Sequence, residues 1–389
     1  MTSTERREAR YQRRKASREE KRQQKISSYD NFSLVADYDN LYAAYKKCLR
    51  GVSWKESVQR YESNAMRNVM EARRKVLDGV STHIGFVEFD LRERGKVRHI
   101  RSIHITERIV QKCLCDQVLV PILTKPLIYD NGASMEGKGV HFAIRRLICH
   151  MTKYFKQNKS NDGYALIIDF SKFFDSVDHK ILFELLDEQI KDKELRKLTK
   201  GFISIFGDGI SLGLGSQVSQ ICAVFYPNKL DHYIKEKLRI KYYGRYMDDM
   251  YLIHKSKKYL QQCLEEILKV CEKLKITVNL KKTRIVKLSH GITYLKGRYS
   301  LLPSGKVLRL PGKASGKLMR KKLVKFKKLY DQKKMEHCDI RASYQSWRGN
   351  YKRRFKAYYR VRYMDNYYNS LFVFEHPPEK FKRVPEKIT

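Results

Sequence analysis

No stretch of the sequence approaches the ~18–20 consecutive apolar residues that a membrane span needs, and the segment Met1 to Lys25 lacks the apolar centre of a signal peptide. A cytoplasmic protein is expected. Also missing is any paired CxxC with a downstream Cys or His among the eight cysteines; Cys113 and Cys115 stand one residue apart. That spacing argues against zinc and for reduced, mostly buried thiols. No internal repeat is evident. Acidic residues are in short supply, 42 Asp+Glu against 82 Lys+Arg.

What remains is a chain of 389 residues with a normal hydrophobic fraction of 42% and a formal charge of +40. It can bury a sizeable core and divide into two or three subdomains. The charge exceeds what solubility requires and calls for a polyanionic partner. Nucleic acid is favoured over a membrane surface because basic residues run the whole length and are interleaved with 26 Tyr. Charge alone would also suit a chromatin-like or ribosomal protein with no chemistry.

Residues 1–28 carry too little apolar material to pack and read as a solvated helix or a flexible basic arm. From Tyr29 to Ser160 the pattern is mainly helical, interrupted at Phe86 to Ile100 by an alternating hairpin whose turn is expected near Gly95. Tyr164 to Asp169 suits a strand buried on both faces that ends on a carboxylate. One helix is expected from His179 to Phe206, a glycine-rich loop from Gly207 to Gly215, and helical periodicity again from Gln217 to Arg239. Lys241 to His254 reads as two strands turning at Met247-Asp248-Asp249, followed by a helix from Lys258 to Leu274 and strands at Lys275 to Val278 and His290 to Leu302. This order describes an α+β domain, an antiparallel sheet with helices on one face. Further on, Met319, Leu323, Phe326 and Tyr330 share one helical face as a core stripe. The basic face around them, with Arg348, Lys352, Arg353 and Arg354, would suit a nucleic-acid backbone. From Pro377-Pro378 onward a disordered tail is expected.

Asp248-Asp249 at a hairpin turn and Asp169 at the end of a buried strand form a candidate constellation. Joining a nucleotide to a primer builds negative charge on the attacking and leaving oxygens together; two magnesium ions held by carboxylates can stabilise both. Two adjacent aspartates in a turn are more often just a turn. Here they sit between two apolar strands, in Tyr246-Met247-Asp248-Asp249.

That box resembles the signature of reverse transcriptases, and Ile167-Ile168-Asp169-Phe170-Ser171-Lys172-Phe173-Phe174-Asp175 resembles the first palm motif of the same family. Further segments follow in order. Gly95 to Ile100 and Arg108-Ile109-Val110-Gln111 resemble the fingers, Asn279-Leu280-Lys281-Lys282-Thr283 the fourth palm motif, and Tyr294-Leu295-Lys296-Gly297 the primer grip. The resemblance covers about residues 95–297 and implies a right-hand polymerase with fingers (29–160), palm (161–300) and helical thumb (301–376), between a basic arm (1–28) and a tail (377–389).

The resemblance also implies roles. Asp169, Asp248 and Asp249 would be catalytic and, with Phe170, would hold two Mg2+ ions, for which Mn2+ could substitute. Phe174 would exclude a 2′-hydroxyl by its size, the plain alternative being a core side chain beside Phe173. Lys96 and Arg98 would clamp the incoming triphosphate. Gly215 and Gln217 would line the nucleotide, and Lys282 would protonate the leaving pyrophosphate; its neighbour Lys281 leaves that last assignment open, since either lysine could be ordinary surface. Tyr246, Met247, Tyr294, Leu295, Lys296 and Gly297 would touch nucleic acid. The implied partners are template RNA, cDNA product and deoxynucleotides, with a structured non-coding RNA, an accessory protein or a second copy as further candidates, and no membrane.

Group II intron and retron enzymes usually show Gln-Gly and Ser-Pro at the two ends of the loop Leu214-Gly215-Ser216-Gln217-Val218-Ser219-Gln220; this chain has Leu214-Gly215 and Ser219-Gln220. The form resembles reverse transcriptases of diversity-generating retroelements, as do Asn131-Gly132-Ala133-Ser134, Gly137-Lys138-Gly139-Val140-His141 and Ser346-Trp347-Arg348-Gly349. Antiphage defence enzymes that use a non-coding RNA share the same palm and stay open as the alternative. An RNA-dependent RNA polymerase is opposed by Phe174, and a non-catalytic RNA-binding protein by the order of the motifs. No nuclease motif, endonuclease domain or maturase segment is evident in the sequence.

Overall fold

Apolar residues enclosed by polar ends make Tyr164–Asp169 a strand that can be buried on both faces, and in the computed structural model its four inner residues are buried. The structure describes residues 2–93, 96–312 and 315–372. The turn expected near Gly95 and the tail from Pro377 lie outside the described residues. The chain divides into two units, Met1–Leu288 and Ser289–Thr389.

The first unit opens with α1 (Ser3–Ser27), whose N-terminus carries a reciprocal cap between Thr2 and Glu5. Short helices α2 (Ser33–Ala36), α3 (Tyr38–Cys48), α4 (Glu56–Glu62) and α5 (Ala65–Leu77) follow. The expected hairpin is β1 (Phe86–Glu93) paired antiparallel with β2 (Lys96–Ile103). Next come α6 (Ile105–Leu114), a π-type turn, α7 (Val120–Thr124) and the long α8 (Val140–Asn158).

Beyond α8 lies the sheet that positions the site. It contains β3 (Tyr164–Asp169), β4 (Tyr242–Tyr246), β5 (Asp249–His254) and β6 (Arg284–Lys287) in the order β4-β5-β3-β6, with every pairing antiparallel. Its helices α9 (His179–Gln189), α10 (Lys193–Ser204), α11 (Gln217–Phe225), α12 (Asn228–His232) and α13 (Lys257–Lys273) share one large hydrophobic core with β3 and β5.

Two expectations are corrected here. The helix read from His179 to Phe206 is two helices. Asp192 caps α10 by accepting from the amides of Glu194 and Leu195, and the Asp30 carboxylate accepts from the freed amides of Lys191 and Asp192. The strand expected at Lys275 to Val278 reduces to a bridge between Phe170 and Val278, while β6 fills that edge of the sheet instead. Residues 289–300 belong to the second unit.

That unit has its own sheet, β7 (Ile292–Tyr294), β8 (Gly297–Leu301) and β9 (Val307–Pro311), so strands precede the helices expected from residue 301. Helices α14 (Ser315–Asp331), α15 (His337–Phe355) and α16 (Tyr358–Leu371) follow. Met319 and Leu323 are buried and Phe326 and Tyr330 pack beside them, as the helical spacing requires. The basic face expected on α15 is partly used internally: Arg348 binds Asp365 and Arg354 donates to the Leu295 carbonyl, whereas Lys352 and Arg353 are exposed.

Candidate active site

In an antiparallel pair, residues directly opposite each other share a face of the sheet, and the β3/β5 register sets Asp169 opposite Asp249. Asp248 occupies the turn between β4 and β5. Its carbonyl accepts from the Phe170 amide at 3.3 Å, tying the turn to the end of β3. Met247 takes a left-handed conformation, φ 53°, so the chain reverses within two residues and leaves the two aspartates at the same edge. Asp169, Asp248 and Asp249, far apart in sequence, therefore converge.

Their electrostatics follow from that convergence. Burial first, then repulsion from Asp248 and Asp169, pushes the Asp249 carboxyl up to about 7. Asp248 is also raised, by burial and by Asp169, while Lys282 and Arg98 oppose the shift. Lys282 Nζ lies 2.5 Å from Asp169 Oδ2, and this bond holds the ammonium above its usual range. Asn279 steadies the same residue: its amide donates to the Asp169 carbonyl at 2.8 Å, and its own carbonyl accepts from the amides of Lys282 and Thr283. The geometry separates two neighbouring lysines, since Lys282 reaches the carboxylates and Lys281 is simply exposed.

The donor set fits a hard divalent cation in kind: carboxylate oxygens whose mutual repulsion a positive charge would relieve. Among the described residues no three His, Cys, Asp or Glu side chains enclose a metal position as they stand, and the Lys282 ammonium supplies the compensating charge at Asp169. Phe170, expected in the metal-holding set, has its ring 2% exposed in the core and brings no side-chain donor.

Other expected residues lie on the segment that follows Asp169 and on the loop bonded to it. Phe174 is half-buried, its ring edge-on to Phe173, and its carbonyl accepts from Leu212. The glycine-rich loop is strapped to the same segment: Ser211 donates to the Val177 carbonyl, and the His179 amide donates to the Gly209 carbonyl. The Arg101 amide donates to the Leu214 carbonyl at 3.1 Å, which joins the loop to the base of the β1–β2 hairpin. Gly215 has φ +129°, and a Cβ there would stand 2.6 Å from the Arg101 carbonyl oxygen, so only glycine fits. Gln217 opens α11, which is capped by Ser216.

Arg98 is exposed on β2 opposite Leu91, yet close enough for its charge to act on Asp248. Lys96 pairs with Glu93 in the hairpin, and its side chain lies outside the described residues. Tyr246 and Met247 are half-buried beside the turn. Tyr294, Leu295, Lys296 and Gly297 belong to the second unit, where Leu295 and Lys296, φ 46° and 68°, make the tight turn between β7 and β8.

Arg245 and Asp231 escaped the sequence reading. A signal existed: Arg245 is the one charged residue in the otherwise apolar or aromatic strand Tyr242–Tyr246, and an inward-pointing charge demands a buried partner.

The arrangement has counterparts among known proteins. A family model described as reverse transcriptase (RNA-dependent DNA polymerase) matches residues 88–297. Protein YkfC of Escherichia coli (strain K12) is 24% identical over 250 residues, covering 53% of this chain and 64% of that protein. The alignment thus spans less than two thirds of that relative. Among solved structures, telomerase from Candida albicans in complex with the TWJ fragment of telomeric RNA aligns at 12% identity and TM-score 0.48, covering 74% of this chain and 59% of that one. Apo telomerase from Candida tropicalis, truncated of its C-terminal domain, aligns at 13% and 0.45, covering 57% and 54%. The α+β fold with its antiparallel sheet fits the right-hand polymerase class. With more than half of its length matched by the family model, the chain belongs to the reverse transcriptase family.

Proposed function

We propose that the protein is an RNA-directed DNA polymerase that synthesises cDNA by two-metal nucleotidyl transfer. The observation that carries this reading is the cross-strand placement of Asp169 opposite Asp249, with Asp248 in the turn bonded to Phe170. Asp169 and Asp248, with Asp249 as third carboxylate, would hold the divalent cations. Bound there, the cations would favour ionisation of the primer 3′-hydroxyl and neutralise charge on the leaving oxygens. Arg98, with Lys96, would hold the triphosphate by charge-assisted hydrogen bonds. Lys282 would trade its bond to Asp169 for a leaving-group oxygen and donate its proton there.

Purified full-length protein given RNA template, DNA primer, magnesium and deoxynucleotides should make DNA. Asp248→Ala should lose synthesis by on the order of a thousandfold or more while RNA binding persists. An active Asp248→Ala protein, or a wild type that makes no polymer, would refute the reading.

Within the family, we place the enzyme in a diversity-generating retroelement. The support is the loop from Leu214 to Gln220, which lacks the Gln-Gly and Ser-Pro ends usual in group II intron and retron enzymes. An apolar Leu214 beside the nucleotide removes a polar contact and would loosen base selection. Leu214→Gln should lower the error frequency in sequenced cDNA, and an unchanged spectrum sinks this finer reading while leaving the polymerase intact.

A further inference from the structure

The N-terminal helix lies outside the segment matched by the family model and has no place in the chemistry above. It is a 25-residue helix, about 37 Å long at 1.5 Å per residue. Among its described side chains only Ile26 is buried. At about 100° per residue, Arg6, Arg10, Arg13, Arg14, Lys21 and Lys25 fall on one arc of about 120°, and Glu5 and Glu8 fall on the opposite arc.

The segregation has a cost. Arg6, Arg10 and Arg14 succeed one another at i, i+4, as do Lys21 and Lys25; like charges at that spacing repel along the helix. Arginines in the first turns also oppose the helix dipole, which the Thr2–Glu5 cap only partly offsets. A self-repelling stripe of this kind is relieved by an anion laid along it.

Other occupants fit poorly. An in-plane membrane helix or a coiled-coil partner needs an apolar stripe, and the arc opposite these cations carries Glu5, Glu8, Gln12 and Gln23 in its place. Single-stranded nucleic acid is usually held through aromatic stacking platforms, but Tyr11 is the sole aromatic of the helix. A straight rod of guanidinium forks matches the regularly spaced phosphates of a duplex.

We infer that the basic arc of α1 binds the phosphate backbone of an RNA duplex, without regard to base sequence, beyond the template-primer held at the active site. The inference rests on the reading of the chain as an RNA-copying enzyme and adds a second RNA contact to it.

The test uses full-length protein and an RNA hairpin of about 20 base pairs, longer than the span of a typical duplex-binding module, and of arbitrary sequence. Affinity is followed against potassium chloride concentration. Each neutralised phosphate contributes about 0.9 to the slope of log affinity on log salt. Replacing Arg6, Arg10, Arg13, Arg14 and Lys21 together by Gln should reduce that slope by about 3 to 4 and weaken low-salt binding by at least about tenfold. Glu8→Gln, on the opposite arc, should leave the slope unchanged.

An unaltered slope in the five-site variant would overturn the proposal and leave α1 a solvated helix. So would an unaltered slope accompanied by lost sedimentation with phosphatidylserine vesicles, which would assign the arc to a membrane. Primer extension on the same preparations separates the two levels: polymer made with an unchanged slope sinks the arm alone, whereas no polymer sinks the reading beneath it.

Discussion

Arg245 and Asp231 form a forked ion pair with both side chains fully buried, Nε to Oδ1 at 2.8 Å and Nη2 to Oδ2 at 2.7 Å. The remaining guanidinium donors reach the carbonyls of Met247 at 3.1 Å and Val224 at 2.8 Å, and the Tyr243 hydroxyl donates to Asp231. One side chain therefore ties the turn at Met247 to α11 and α12. Arg245→Met would strand a buried Asp231 and should cost about 3–5 kcal/mol, seen as a lower denaturation midpoint. Arg245→Lys keeps the charge but cannot fork. It should retain the fold and lose kcat with little change in KM for deoxynucleotide. Equal effects of Lys and Met on both stability and kcat would refute a positioning role.

Phe174, five residues beyond Asp169, is half-buried with its ring edge-on to Phe173. Phe174→Ala should open space for a 2′-hydroxyl and cut discrimination against ribonucleotides by on the order of 10–100-fold. The ratio of kcat/KM for matched deoxy- and ribonucleotides measures this. A preserved ratio would make Phe174 an ordinary core side chain.

At Gly215, a left-handed φ and the Arg101 carbonyl oxygen both exclude a side chain. Gly215→Ala should strain the loop by about 1–3 kcal/mol and push it off the hairpin base. The expected result is a raised KM for deoxynucleotides; Gly209→Ala, where a Cβ meets nothing within 4 Å, controls for strain alone. Comparable KM values for the two variants would contradict the contact.

His150 is 3% exposed, between Asp130, Arg146 and the Tyr251 hydroxyl. Burial lowers its pKa to about 4; the Arg146 and Lys235 cations add to the shift, and Asp130 opposes it. Between about pH 4 and 6.5 the unfolded chain therefore binds more protons at this site than the folded one. Stability present above pH 6.5 should fall as pH drops through that window, by up to about 3 kcal/mol. Urea denaturation at pH 7 and pH 5 should show the loss, and His150→Gln should flatten it. A slope that survives the substitution would place the effect elsewhere.

Motifs with local signals were legible in advance. The apolar run ending at Asp169, the Tyr246–Asp249 turn and the stripe on α14 each carry a periodicity or turn chemistry within a few residues. The single helix expected across residues 190–192 failed because the Asp192 cap went unread and the amides freed at the break are taken up by Asp30, far away in the sequence. Edge strand β6 escaped because Arg284–Lys287 is short and half polar, and becomes a strand only by pairing with β3.

The sequence by itself determined the chemistry available: three carboxylates at strand ends, a bulky residue beside them, and an excess of cations suited to phosphate. Local composition and spacing suffice for that. Tertiary structure alone decided which lysine meets Asp169, which buried carboxylate partners Arg245, and that the chain divides after Leu288. Those outcomes depend on contacts between residues distant in the chain, whose energies exist only once the packed core has fixed their separations.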